Sequence, residues 1–114
     1  MRKELEEILI KDYPALLNDC GSLDCGDGWF LLIKNLCEKL KLYPYLVAIQ
    51  IKEKFGGLRF YIGDVSAADY NKVYSIIGKY EKLSYATCEK CGNPGEITKG
   101  LWLKTLCADC KIKM

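Results

Sequence analysis

Four cysteines near the end of the sequence form two Cys-x-x-Cys pairs. Cys88 and Cys91 make the first pair, Cys107 and Cys110 make the second, and 15 residues separate the two pairs. Two residues between cysteines allow one tight turn to direct both sulfur atoms at a single ion, so two pairs can supply a tetrahedron of ligands. The spacing predicts one structural Zn²⁺ bound by these four thiolates.

The chain contains no histidine, and this absence limits its chemistry. It excludes the Ser/His/Asp and Cys/His arrangements of nucleophilic catalysis. Four thiolates would also fill the coordination shell of zinc and leave no position for an activated water. A redox pair of the thioredoxin type is the alternative for the cysteines, but no β-α-β pattern surrounds them. We therefore expect a protein that is not an enzyme and has no catalytic residues.

Residues 85–114 contain both cysteine pairs and predict a small zinc module. Within this segment, residues 96–98 and 101–103 predict two short strands joined by a turn at Gly100. The segment is expected to fold as a zinc ribbon or a treble-clef-like module, packed on a body formed by residues 1–84. About 30 residues bury little surface, so the bound metal would supply much of the folding free energy.

Hydrophobic periodicity predicts an α+β fold for the body, with helices packed on a small antiparallel hairpin. The strongest helical pattern covers residues 29–40, with Asp27 as its expected N-cap, and it ends before a Tyr-Pro step. An amphipathic helix is expected before Pro14. A further helix is predicted to begin at Ser66, where Asp69 follows three residues later as a capping partner.

Alternating apolar and polar residues on both sides of Gly56 and Gly57 predict a β-hairpin at about residues 46–63. A turn with an even number of residues keeps each alternating set on one side of the sheet. The set expected on the core side is Ile49, Ile51, Leu58, Phe60 and Ile62. The set expected on the outer side is Gln50, Lys52, Lys54, Arg59 and Tyr61.

Three cations beside an aromatic ring on one sheet face favour an anionic ligand, because like charges on facing strands destabilise a sheet. Arg59 would offer a planar fork suited to phosphate. We predict a binding site for an anionic small molecule such as a nucleotide. Its residues are Lys52, Lys54, Arg59 and Tyr61. The alternative left open is that Glu4, Glu38 or Glu53 neutralises these charges and the face is only solvated.

The composition indicates a folded protein of the reducing cytoplasm. The first residues lack the apolar stretch of a secretory signal, and no run approaches the ~18 apolar residues of a membrane span. Seven cysteines without an export signal indicate reduced thiols or metal ligands. Cys37 is expected to be a small core residue. Cys20 and Cys25 flank a loop. A second metal cluster of Cys20, Cys25 and Cys37, with Asp24 or Asp27 as its fourth ligand, is the alternative left open.

Three segments that carry these motifs resemble small proteins encoded in bacteriophage and prophage genomes. The segments are residues 26–30, the hairpin residues 51–61 and the tail residues 83–110. The resemblance implies a phage-derived accessory protein with a C-terminal zinc module, located in the cytoplasm of a bacterial host cell. That family has no assigned activity, so the resemblance supplies no catalytic residues. It implies a role in phage–host conflict or in gene control.

Three functions from different classes fit these features. The first is a non-enzymatic, zinc-stabilised protein that binds a nucleotide-like anion and could sequester a host defence signal. The second is a nucleic-acid-binding zinc ribbon or transcription modulator. The net charge of +2 disfavours this second function, since one zinc tetrathiolate would lower it to about zero. The third is a protein inhibitor that binds a host enzyme through exposed apolar and aromatic surface.

Overall fold

A computed structural model describes residues 1–113, and this part of the chain has a mixed α+β fold. Its helices are α1 (Lys3–Asp12), α2 (Pro14–Leu17), α3 (Phe30–Leu40), α4 (Tyr70–Ser84) and α5 (Ala108–Ile112). Its strands are β1 (Leu23–Asp24), β2 (Ala48–Lys54), β3 (Gly57–Ile62), β4 (Glu96–Ile97) and β5 (Thr105–Leu106). A 3-10 turn, Asp27–Trp29, leads into α3. No helix within residues 1–113 is both long and apolar enough to cross a membrane.

Strands β1, β2 and β3 form the main sheet, with β2 in the centre. β1 runs parallel to β2, and β3 runs antiparallel to it. A two-residue turn, Phe55 and Gly56, joins β2 to β3, and both residues have positive φ, 54° and 86°, as a type I′ turn requires. The expected even register follows: Ile51 lies opposite Phe60, and both side chains are buried.

Ile49 departs from the predicted alternation. The pairing shifts between Ala48 and Gln50, so β2 holds one residue more than β3 at this point, which is a β-bulge. Ala48 takes the buried position opposite Ile62, and Ile49 is 58% exposed. The prediction that Ile49 lies on the core side is therefore wrong, because a simple alternating pattern does not reveal a bulge.

The helix predicted at residues 29–40 is present as the 3-10 turn and α3, but its expected N-cap is wrong. No side chain caps the start of α3. The carboxylate of Asp27 instead accepts bonds from the backbone N–H and the guanidinium of Arg2, both at 2.7 Å. Asp27 therefore holds the start of α1 against this loop.

Helix α4 begins at Tyr70, later than the predicted start at Ser66. Ser66 and Asp69 do interact, because the serine hydroxyl donates to the Asp69 carboxylate at 3.0 Å. The phenol of Tyr45 donates to the same carboxylate at 2.8 Å. These bonds fix the loop before the helix. The predicted capping pair, Ser66 and Asp69, therefore lies in the loop that leads into α4 and not in its first turn.

The core lies between the inner side of the sheet and the helices. Helices α3 and α4 pack on each other, and α4 also packs along β3. Trp29 is fully buried, and its indole N–H donates to the carbonyl oxygen of Thr87 at 2.9 Å. The other large side chains that are less than 2% exposed are Leu9, Leu17, Leu23, Ile33, Leu36, Leu40, Leu46, Ile51, Leu58, Val73 and Thr105.

Side chains of helix α4 accept backbone N–H groups on the edge of β3 that faces away from β2. The hydroxyl of Ser84 accepts the backbone N–H of Leu58 at 2.9 Å, and the carboxylate of Glu81 accepts that of Phe60 at 2.9 Å. Unpaired strand edges invite association with other chains. These two side chains close the edge and fix α4 beside the hairpin.

The C-terminal module consists of a turn through Cys88 and Cys91, the two-stranded sheet β4–β5, and α5. Glu96 pairs with Leu106 in the antiparallel ladder of β4 and β5. The second strand therefore lies at Thr105–Leu106, and the strand predicted at residues 101–103 is wrong.

The side chain of Thr98 explains the displaced strand. Its hydroxyl accepts the backbone N–H of Lys104 at 3.0 Å and donates to the carbonyl of Trp102 at 3.1 Å. These bonds close residues 99–103 into a loop. Leu101 is fully exposed there, since so small a module has no core that could bury it.

The module docks on the body through backbone contacts at two glycines. The N–H of Gly28 donates to the carbonyl oxygen of Glu89 at 2.7 Å. A Cβ atom on Gly26 or Gly28 would overlap the backbone of residues 88–89. Only glycine permits so close an approach of two backbones.

The hairpin turn supplies a second docking point. The hydroxyl of Thr105 donates to the carbonyl oxygen of Gly56 at 2.6 Å, in a buried position. The side chain of Ile97 lies 3.1 Å from the point that a Cβ on Gly56 would occupy. The module therefore contacts both the loop before α3 and the tip of the β2–β3 hairpin.

We expect Gly28→Ala to destabilise the protein by about 1–3 kcal/mol, the range for overpacking, because its methyl group would displace backbone atoms. Gly78→Ala is the matched control. Gly78 lies within α4, and no neighbouring atom comes within 4 Å of the point that a Cβ would occupy, so alanine should stabilise the helix by about 0.5–1 kcal/mol. Urea unfolding measures both changes. A Gly28→Ala protein as stable as wild type would contradict the docking contact.

Candidate metal centre and the outer face of the sheet

The four cysteines of the two Cys-x-x-Cys pairs come together, as their spacing predicts. The sulfur atoms of Cys88, Cys91, Cys107 and Cys110 all lie within 4.8 Å of one another. The Sγ atoms of Cys91 and Cys107 are 3.6 Å apart. A tetrahedral zinc site with Zn–S bonds of about 2.3 Å has sulfur atoms about 3.8 Å apart. The cluster therefore has the donors and the dimensions of a site for one metal ion.

Local backbone structure directs each pair toward the centre. The first pair lies in a turn closed by a 2.9 Å bond from the N–H of Gly92 to the carbonyl of Cys88. Gly92 has φ of +83°, a conformation that glycine adopts without strain. Cys107 is the N-cap of α5, and its sulfur accepts the N–H of Cys110 at 3.4 Å. One pair thus comes from a turn and the other from the start of a helix.

The electrostatics of the cluster favour a thiolate at Cys88. Burial opposes ionisation of this thiol, but backbone N–H groups of Cys107, Cys91 and Lys90 donate toward the sulfur and lower its pKa to about 6. A thiolate is the form that binds metal. The thiol of Cys110 has its pKa raised to about 12, chiefly by its interaction with Cys107. Neighbouring sulfurs without a cation therefore resist simultaneous ionisation, and a divalent ion would remove that repulsion.

The remaining three cysteines do not form a second metal site. Within residues 1–113, the cluster at Cys88 is the only group of three or more suitable side chains close enough to hold an ion. Burial raises the pKa of Cys25 and of Cys37 to about 12, and it also raises the pKa of Cys20. All three are buried neutral thiols in the core, as expected for Cys37.

Lys104 lies between two carboxylates where the module meets the hairpin. Its Nζ is 2.9 Å from Glu53 Oε1 and 3.6 Å from Glu89 Oε1, an oxygen that accepts no hydrogen bond. Burial opposes the charge on Lys104, but the two carboxylates outweigh it and raise the pKa of Lys104. The other oxygen of Glu89 accepts the N–H of Gly26 at 2.8 Å. This network joins β2, the loop before α3 and the first cysteine turn.

The predicted basic residues do share one face of the hairpin, which we call the outer face. Lys52 lies directly opposite Arg59, and Gln50 lies opposite Tyr61. Lys54 is paired with Gly57 on the same side. Among residues 1–113, no carboxylate forms an ion pair with the lysines or the arginine of this face.

The carboxylates considered as neutralising partners lie elsewhere. Glu53 is opposite Leu58 on the inner side of the sheet and pairs with Lys104. Glu38 pairs with Lys41 and accepts the phenol proton of Tyr13 at 2.6 Å. Within the described residues Glu4 forms no ion pair. None of the three therefore neutralises the outer face.

Two residues of the outer face are not apparent from the hairpin sequence. Asp24 in β1 pairs in register with Lys52, so one carboxylate borders the basic residues. The ring of Tyr85 overlaps the position that a Cβ on Gly57 would take, so it covers the end of this face. The only sequence signal for Tyr85 is the glycine that leaves room for its ring.

Metal analysis of protein purified under reducing conditions should find one zinc per chain. Removing the metal with a chelator should expose the cluster thiols to alkylation, while the buried thiols stay protected because burial raises their pKa and excludes the reagent. Mass spectrometry of peptides separates the two groups. Finding no zinc, or alkylation of Cys25 and Cys37 as fast as Cys91, would contradict this assignment.

We expect Lys104→Met to destabilise the protein by about 3 kcal/mol, since it leaves two largely buried carboxylates without their cation. Lys41→Met is the matched control, because the ion pair of Lys41 with Glu38 is exposed and should contribute little. Thermal unfolding at neutral pH compares the two. Equal effects of the two substitutions would show that the buried network does not join the module to the body.

Comparisons with protein-family models, with curated proteins and with solved structures find no match for this chain. Its function is therefore inferred from the chemistry of the cysteine cluster and of the outer face.

Proposed function

We propose that this chain is a non-enzymatic, zinc-stabilised binding protein that captures a phosphate-bearing anion on the outer face of its sheet. The observation that carries the proposal is the direct pairing of Lys52 with Arg59 across β2 and β3, with no carboxylate in an ion pair with either side chain among residues 1–113. Two like charges at a cross-strand pair destabilise the free protein. A bound anion removes that repulsion.

The net charge of the outer face is suited to a small anion. Lys52, Lys54 and Arg59 supply three positive charges, and Asp24 supplies one negative charge at the border. Arg59 offers paired donors that match two oxygens of one phosphate. Lys52 adds a mobile ammonium from the facing strand, so one phosphate can be held from both sides.

Zinc is the ion we propose for the cysteine cluster, with a structural role. Four sulfur donors within 4.8 Å of one another are typical of structural zinc, and four thiolates would leave no ligand position for water. The order of elements supports a treble-clef-like arrangement: the first cysteine pair lies in a turn, a short hairpin follows, and the second pair lies at the start of α5. In a zinc ribbon the second pair would lie in another turn.

In the setting implied by the resemblance to phage proteins, the protein would act in the cytoplasm of a bacterial host. Binding without catalysis would then remove a nucleotide-like signal from the host. The near-zero charge of the metallated chain argues against a long nucleic acid as the main ligand.

One observation favours a second function, the binding of a host protein. Leu101 is fully exposed and Trp102 is 71% exposed in the loop between β4 and β5. Exposed tryptophan is enriched where proteins bind one another.

The proposal is tested by thermal unfolding in the presence of a panel of nucleotides and inorganic phosphate. A ligand of the native state raises the apparent stability with the logarithm of its concentration. Arg59→Ala should weaken binding by about 1.5–3 kcal/mol, the range for hydrogen bonds to charged groups. Its zinc content should not change.

Lys39→Ala is the matched control, since Lys39 is an exposed cation on α3, away from the outer face. Arg59→Lys keeps the charge but loses the fork, so it should bind with intermediate affinity. If no compound of the panel shifts the unfolding curve, or if Arg59→Ala responds as wild type does, the outer face is only solvated.

A further inference from the structure

Tyr85 brings a second aromatic ring to the outer face. It follows Ser84, whose hydroxyl is bound to the edge of β3 at Leu58. Alternate residues of a strand point to the same side, so Gly57 shares the outer face with Arg59. The Tyr85 ring occupies the space above Gly57 and is only partly buried. The residue that follows α4, the helix beside the edge of β3, thus supplies a ring to the outer face.

The outer face is therefore ordered in three rows across β2 and β3. The rows are Gln50 with Tyr61, Lys52 with Arg59, and Lys54 with Gly57, over which the Tyr85 ring lies. Rows two residues apart are about 7 Å apart, so the outer two rows are separated by about 13 Å. The cation pair lies between two aromatic rings.

This order matches the chemistry of two nucleosides joined by one phosphodiester. Single-stranded nucleic acids are bound with their bases splayed apart and stacked on aromatic side chains. A phosphodiester on the central row would place one base toward Tyr61 and the other toward Tyr85. Gln50, beside Tyr61, offers both a donor and an acceptor to a base edge.

The charge limits the length of such a ligand. Three cations and one carboxylate leave room for one or two phosphates on this face. The whole chain carries a formal charge of only +2, so it lacks the extended positive surface that a long polyanion needs. A short ligand therefore suits the outer face, whereas the additional phosphates of a long strand would add no binding affinity.

We propose that the ligand is a dinucleotide, with its phosphodiester held by Lys52 and Arg59 and its bases stacked on Tyr61 and Tyr85. This inference rests on the proposed function, since it names the ligand class for the same face. It also assigns a binding role to Tyr85, which lies outside the hairpin.

Titration calorimetry with two probes separates the contributions of charge and stacking. Adenosine monophosphate has the larger phosphate charge and one base, whereas adenylyl-adenosine has one phosphodiester and two bases. If charge alone determines affinity, the monophosphate binds as tightly or more tightly. The dinucleotide site requires adenylyl-adenosine to bind more tightly, by about 5- to 150-fold, the equivalent of one base–aromatic stack.

Two substitutions test the rings one at a time. Tyr61→Leu and Tyr85→Leu should each weaken binding of adenylyl-adenosine by about 5- to 150-fold, while Tyr85→Phe keeps the ring and should bind nearly as wild type does. If Tyr85→Leu does not fold, ring-proton chemical shifts of Tyr61 and Tyr85 in the wild-type protein replace it. Both rings should shift on titration with adenylyl-adenosine.

The outcomes distinguish this inference from the proposed function. Arg59-dependent binding of the monophosphate that equals or exceeds binding of adenylyl-adenosine overturns the dinucleotide and leaves the anion site standing. Tight binding of adenylyl-adenosine with no shift at Tyr85 and no effect of its substitution also overturns it. If neither probe binds, both the dinucleotide and the anion site are wrong.

Discussion

One backbone hydrogen bond, from the N–H of Gly28 to the carbonyl oxygen of Glu89, joins the body to the module where their two backbones come into contact. The bond requires that Gly28 carry no side chain and that the turn between Cys88 and Cys91 hold its carbonyl in a fixed direction. An ion bound to the cysteines would fix that turn. The proposed zinc would therefore stabilise the contact surface for the loop before α3 as well as the C-terminal module itself.

The same turn is joined to the hairpin by charge. Glu89 lies between the first two cysteines, Lys104 binds it, and Lys104 also binds Glu53 in β2. Strand alternation places Glu53 on the inner side, between two lysines that point outward. Glu53 thus forms its ion pair with Lys104 and does not neutralise its neighbours Lys52 and Lys54. This division explains how a nearly neutral chain presents a locally positive face.

The sequence predicts the parts of the fold that depend on local pattern. Residues 29–40 show a helical period that the core then buries, and the hairpin pattern fixes the even register that groups Lys52 with Arg59. The cysteine cluster follows from spacing alone, because each pair needs only one turn to direct its sulfurs. In these cases neighbours in sequence determine the structure.

The parts that the sequence does not predict depend on distant residues. The position of Asp27 suggests a helix cap, but its carboxylate instead accepts the backbone N–H and the charged guanidinium of Arg2. The bulge at Ile49 allows Ala48 to pair with Ile62. This pairing depends on how β2 and β3 pack together, which the local sequence of β2 does not show. In the module, Thr98 closes a loop where apolar residues suggest a strand.

Three glycines mark long-range contacts that local sequence patterns do not predict. Gly26 and Gly28 lie in a loop, and Gly57 lies in a strand, yet each is required by a contact made by residues far along the chain. At Gly57 that contact is a tyrosine ring near the paired cations Lys52 and Arg59. A side chain at Gly57 would exclude Tyr85 from the outer face. The glycine therefore determines which groups surround the cation pair, and through them which ligands the face can bind.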